Sequence, residues 1–113
     1  IRNILNRLDG RKKVFWGVSG KLHECVFPLF PIDIHKNMYV DSNKEIIGTI
    51  KDGLRIYSPD YLFNSMEKDL LIIVMVFSYS EIKKKLETWN YHEGNDFIDA
   101  RMLLNEDEGG YRC

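Results

Sequence analysis

Residues Leu70 to Phe77 form an unbroken apolar run, Leu-Leu-Ile-Ile-Val-Met-Val-Phe, rich in β-branched side chains. A strand with one face in water alternates apolar and polar residues. A run with no polar member suits a strand covered on both faces. Such strands belong to parallel sheets, whose crossover helices shield both sides. The run is also too short to cross a membrane. It predicts an interior parallel strand, and the rest of the chain has to fit around it.

The segments on either side fit that frame. Val14-Phe15-Trp16 is a short apolar strand, led in by Arg11-Lys12-Lys13 and followed by the turn Gly17-Val18-Ser19-Gly20. Lys21 to Phe27 reads as a short helix, stopped near Pro28 and Pro31. Met38-Tyr39-Val40 is a second strand, ending at the polar turn Asp41-Ser42-Asn43. Segments 46–50 and 54–57 flank Lys51-Asp52-Gly53, and the Asp-Gly pair predicts a hairpin. Ser58-Pro59 reads as a helix cap with proline at the first position, the helix running through Tyr61, Leu62 and Met66. Ser78-Tyr79-Ser80-Glu81 reads as a capping box, with Ile82, Leu86 and Trp89 on one face of the helix and 90–94 ending it. A last short strand covers 96–99, and Ile1, Ile4, Leu5 and Leu8 have helical spacing at the start. Alternation of this kind predicts an α/β fold: a small Rossmann-like three-layer domain with a mostly parallel sheet.

At 113 residues the chain is expected to be a single domain over 1–113, with a polar tail from 105. It begins at Ile1 rather than Met and stops soon after Gly109-Gly110, so it is expected to be part of a longer protein. The 16 basic and 17 acidic residues nearly balance, which argues against a nucleic-acid partner. Lys83-Lys84-Lys85 is the tightest basic run and reads as a solvated helix face. The two cysteines, Cys25 and Cys113, are read as free thiols of a reducing compartment, with Cys25 buried and inert. With no leader pattern and no membrane span, the expected location is cytoplasmic.

Ligands of open parallel sheets bind at the carboxyl ends of the strands, where strand order reverses. That point is expected between the loop from Gly17 and the loop from Ser78. Gly17-Val18-Ser19-Gly20-Lys21 departs from the dinucleotide fingerprint G-x-G-x-x-G, with Ser19 in place of the second glycine and Leu22 in place of the third. It is not a Walker A loop, since Leu22 follows Lys21 where Ser or Thr is required. The plain alternative is a strand-to-helix turn that needs glycine. Asp41 ends the second strand near the spacing, about 20 residues, at which an acid takes a ribose hydroxyl. An aspartate opening a turn is equally at home there. Ser78 and Tyr79 would form the opposite wall. His23, His35 and His92 lie on separate elements without metal-ligand spacing and read as surface or satisfied histidines, so no metal is expected. No carboxylate pair reads as acid and base, and no catalytic residue is assigned.

Lys13 to Leu103 resembles a family of small Rossmann-like domains found beside sugar acetyltransferases, FkbM-type methyltransferases and other enzymes of bacterial surface-polysaccharide biosynthesis. The residues that carry the resemblance are Val14 through Lys21, Tyr39 through Asn43, Gly48, Gly53 through Pro59, Leu71 through Val74, Tyr79 through Ile82 and Phe97 through Asp99. The resemblance implies a nucleotide or nucleotide-sugar ligand at Gly17, Ser19, Gly20 and Asp41, and a fused or partner sugar-modifying enzyme. Two rival readings stand beside it. One is an interaction domain whose pocket has decayed and which only positions an enzyme. The other is a fragment of a class I methyltransferase.

Overall fold

The computed structural model describes residues 11–65 and 69–104. Over these the chain forms β1 (Lys12–Trp16), α1 (Lys21–Val26), β2 (Met38–Val40), β3 (Ile50–Lys51), β4 (Leu54–Tyr57), α2 (Asp60–Asn64), β5 (Leu70–Val74), α3 (Tyr79–Thr88) and β6 (Phe97–Asp99). Short 3₁₀ turns follow α1 and β6. The six strands make one sheet in the order β3-β4-β2-β1-β5-β6. Every pairing is parallel except β3 with β4. The fold is therefore mixed α/β with a mostly parallel sheet.

The apolar run behaves as its composition requires. All five residues of β5 are buried, and β1 and β6 flank it in parallel. Successive side chains of a strand point to opposite faces, and the core divides accordingly. Phe15, Tyr39, Leu71, Ile73 and Ile98 join one apolar cluster with Leu22 and Val26 of α1. Val14, Trp16, Val40, Ile72, Val74 and Phe97 join the other with Leu62 of α2 and Ile82 and Leu86 of α3. Burying one such aliphatic side chain is worth about 1.5–3 kcal/mol, so β5 alone anchors both clusters.

The strand is shorter than the run. Met75 still donates to the Trp16 carbonyl at 2.8 Å, but Val76 is half-buried and Phe77 is 67% exposed. β1 ends at Trp16, so nothing continues the ladder alongside Val76 and Phe77. The expected capping box also does not form. Ser78 occupies the cap position with φ −82° and ψ 45°, outside the extended region a cap side chain needs, and makes no cap bond. Ser58 Oγ accepts from the Asp60 amide at 3.3 Å, but the cap position of α2 falls on Pro59, without a side-chain cap bond, and the helix stops at Asn64 when Ser65 turns extended. The expectations for Met66, for a helix over 1–8 and for the tail from 105 lie outside the described residues.

The hairpin appears, with a shorter first strand than expected. Asp52 and Gly53 both have positive φ, 55° and 80°, as the two central residues of a type I′ turn require. Residues 46–49 are turn rather than strand, because the Asn43 carbonyl gathers the amides of Ile46 and Ile47 and Gly48 bends back to the Ile56 carbonyl at 2.8 Å. At the other edge the loop before β6 folds onto it, with the Gly94 amide on the Phe97 carbonyl at 2.8 Å. Cys25 is buried as expected but is not a free thiol: it is disulfide-bonded, and no described cysteine is free. Pairing depends on proximity in the fold, which sequence spacing does not report. Cys113 lies outside the described residues.

Candidate functional site: a cleft at the strand exits

Sheet order reverses at β1, with β2 on one side and β5 on the other. A cleft of about 290 Å³ opens there, lined by Trp16, Asp41 and Ser42 from the ends of β1 and β2, and by Val76, Ser78, Glu81, Ile82 and Lys85 from the β5 exit and α3. Glycine at 17 lets these walls meet. Gly17 has φ +115°, and a Cβ on it would lie 2.9 Å from Val76 Cγ1 and 3.0 Å from the Met75 carbonyl oxygen. Its own amide donates to the Val40 carbonyl at 3.0 Å. The space beside Gly17 is filled by protein, so this glycine has a packing role.

The rest of the first loop turns away from the cleft. Val18 is buried in the α1-side cluster, and its carbonyl accepts from Lys51 Nζ. Ser19, Gly20 and Lys21 are exposed and do not line the cleft. Gly20 caps α1 with φ 99°, without a side-chain cap. Of the residues singled out from sequence, Asp41 and Ser78 reach the cleft. Asp41 serves both roles considered for it. Its Oδ1 accepts from the Asn43 amide at 2.8 Å, and the residue also forms part of the cleft wall.

Tyr79 stands behind the wall, buried against Phe97. Its hydroxyl donates to Glu93, which also accepts from Lys83 at 3.0 Å. Burial, then the bond to Glu93, pushes the Tyr79 phenol well above its ordinary range. The bonds from Tyr79 and Lys83 hold the Glu93 carboxyl below its ordinary range.

Trp16, Ser42, Val76, Glu81, Ile82 and Lys85 line the cleft and were not picked out as site residues. The signal was present in part. Ser78, Glu81, Ile82 and Lys85 follow three- and four-residue steps, which share one helix face. Lys85, read as solvated, is therefore a wall residue. The cleft presents hydroxyls from Ser42 and Ser78, carboxylates from Asp41 and Glu81, and one ammonium, with Trp16 as an apolar surface. These groups can both donate hydrogen bonds to a hydroxyl and accept them from it. Among the described residues it holds no histidine or cysteine, and nowhere do three His, Cys, Asp or Glu gather as for a metal.

A second polar set lies on the other face. His23 stacks on Phe27 at 4.9 Å, and its Nε2 is 2.7 Å from the Tyr39 hydroxyl. That hydroxyl donates to Asp52 Oδ2 at 2.5 Å. With the tyrosine proton directed to Asp52, Nε2–H donates to the tyrosine oxygen, which fixes the tautomer. Burial, then Lys51, lowers the His23 pKa, while Asp52 and Glu24 oppose the shift. Burial, then the bond to Asp52, raises that of Tyr39. His23 is thus a satisfied histidine that ties α1 to β2 and the hairpin.

Together these features define a small α/β domain with a polar cleft where its parallel strands end. Residues 10–95, more than half of the chain, match the family described as C2185-like, N-terminal, and the chain belongs to that family. No curated protein matches the chain. Among the described residues no helix is long and apolar enough to cross a membrane.

Proposed function

We propose that the chain is a Rossmann-like binding module for a nucleotide or nucleotide-sugar, serving a fused or partner sugar-modifying enzyme of surface-glycan synthesis. The observation that carries this reading is the position of the cleft at the reversal of strand order, where open α/β sheets take ligands. Asp41 and the hydroxyls of Ser42 and Ser78 suit the ribose or sugar portion. A phosphate extends toward the exposed Ser19, Gly20 and Lys21, away from the two carboxylates. The N-terminal region named in the family description supports a module that works alongside another domain.

Two observations favour a second reading, an interaction domain with a decayed pocket. The Gly17–Lys21 loop does not line the cleft, and two carboxylates face a single ammonium there. Calorimetric titration with nucleoside diphosphates, their sugar conjugates and S-adenosylmethionine separates the readings. A nucleotide-sugar is expected to bind, and Asp41→Ala to weaken it by about 1–3 kcal/mol, as for a lost charged hydrogen bond. Heat from S-adenosylmethionine alone transfers the cleft to the methyltransferase reading. No heat from any of them, with a cooperative melt intact, leaves the interaction domain.

A further inference from the structure

At the opposite end of the sheet lies a second hollow of about 420 Å³, between the ends of α2 and α3 and the loop that enters β6. Two aromatic rings stand at it. Trp89 ends α3 and packs against the cluster on that face, while Phe63 on α2 is 61% exposed. Their centroids are 5.7 Å apart with the planes tilted by 53°. One ring is held by the core, and the other offers its surface to solvent.

The polar lining is equally specific. Asn90, at φ 70°, and His92 both line the hollow. Among the described residues, neither the Asn90 side-chain amide nor the His92 imidazole makes a hydrogen bond. The Asp96 carboxylate is already committed, to the His92 amide at 2.7 Å and the Asn95 side-chain amide at 3.1 Å. Those bonds also set the loop. Among the described residues no lysine or arginine lines the hollow.

These features narrow the ligand classes the hollow suits. Among the described residues an anion would find no lysine or arginine, and Asp96, the single carboxylate there, already accepts two hydrogen bonds. A wholly apolar partner would cover the amide and imidazole without satisfying them, which costs free energy. A sugar ring matches both sets. Its C–H face carries the partial positive charge that the negative face of an aromatic ring attracts, and its hydroxyls both donate and accept, as amide and imidazole groups do. We propose that this hollow binds a neutral pyranose, stacked on Phe63 and Trp89 with its hydroxyls on Asn90 and His92. The site is separate from the strand-exit cleft and does not depend on what binds there.

The test is titration of the chain with glucose, galactose, N-acetylglucosamine and their short oligomers, followed by amide NMR shifts and tryptophan fluorescence. At least one sugar is expected to give weak saturable shifts confined to the hollow. Phe63→Ala is expected to weaken it about tenfold, the loss of one aromatic contact. Asn90→Gly keeps the backbone conformation, removes the amide and should weaken binding as well. Both sites are exposed, so an unchanged melting curve verifies the fold. The proposal is overturned if none of these sugars produces saturable shifts, or if binding survives Phe63→Ala undiminished. It is also overturned if Phe63→Ala instead abolishes a concentration-dependent self-association, which would make this face a contact between copies.

Discussion

The two faces of the sheet are held by different physics. On the side of α2 and α3, Val14, Trp16, Ile72, Val74, Leu62 and Leu86 pack together, and the Tyr79–Glu93–Lys83 set leads from a buried ring to two part-exposed charges. On the side of α1, apolar packing surrounds the chain of hydrogen bonds from His23 through Tyr39 to Asp52. Tyr39 is fully buried there, and Phe27 stacks against both its ring and that of His23. Packing tolerates changes that conserve volume. A buried hydrogen-bonded network does not tolerate the loss of one member, because the remaining groups stay desolvated. The α1 face should therefore respond to single-atom changes and to pH, and the other face mainly to changes of volume.

The largest effect tests what the faces share. Ile73→Asp places an unpaired charge within β5, and the domain should fail to fold, read as loss of a cooperative melt. A soluble variant that still melts cooperatively would break the assignment of β5 as the wall common to both cores. Next comes Gly17→Val at the seam. It combines a positive φ, costing roughly 1–2 kcal/mol, with overlap against Val76 and the Met75 carbonyl, roughly 1–3 kcal/mol more. Denaturant unfolding should show a loss in that combined range, whether or not ligand is present.

The direct contrast is a pair of hydroxyl deletions. Tyr39→Phe strands the largely buried His23 ring, while Asp52 can turn to water, at a cost of about 1–3 kcal/mol. Tyr79→Phe removes one bond to a Glu93 that still holds Lys83 and reaches water, so the cost should be smaller. Equal losses in chemical denaturation would erase the distinction between the faces. The smallest effect is the pH response. His23 has its folded pKa lowered from 6.5, so the unfolded chain takes up the proton first. Stability is complete above about pH 7 and falls as pH drops through 6.5 toward the folded value. Tyr39→Phe, which dismantles the set, should alter that slope, whereas Tyr79→Phe should leave it unchanged. Melting temperatures between pH 7.5 and 5.5 provide the measurement.

Much of the fold was legible because local pattern and tertiary burial agree. Leu70 to Val74 contains nothing that could face water, so its interior place in a parallel sheet followed from composition. Asp52-Gly53 marked the hairpin, whose turn type their positive φ angles then show. The end of β5 was not legible, since Val76 and Phe77 look like more strand and only the end of β1 removes their partner. The cleft was legible in position and only partly in membership. Asp41 and Ser78 mark strand exits in sequence, and Glu81 and Lys85 share the helix face of Ser78 by spacing, but only the packing of α3 turns that face toward the cleft. His23, Tyr39 and Asp52 are unremarkable singly, and their bonds exist only because β2, α1 and the hairpin converge.

The margins of the sheet have a consequence for how such a domain lives beside others. Unpaired strand edges invite another chain to add a strand, the route to swapping and aggregation. Here one margin is the two-residue β3, with the Lys51 side chain drawn onto the first loop, and the other is β6, overlaid by the Gly94 to Phe97 bond of its own preceding loop. Among the described residues neither margin presents a long open ladder. A module with this construction can be carried at high local concentration on a larger chain, or crowded against copies of itself, without its apolar β5 core seeding intermolecular sheets.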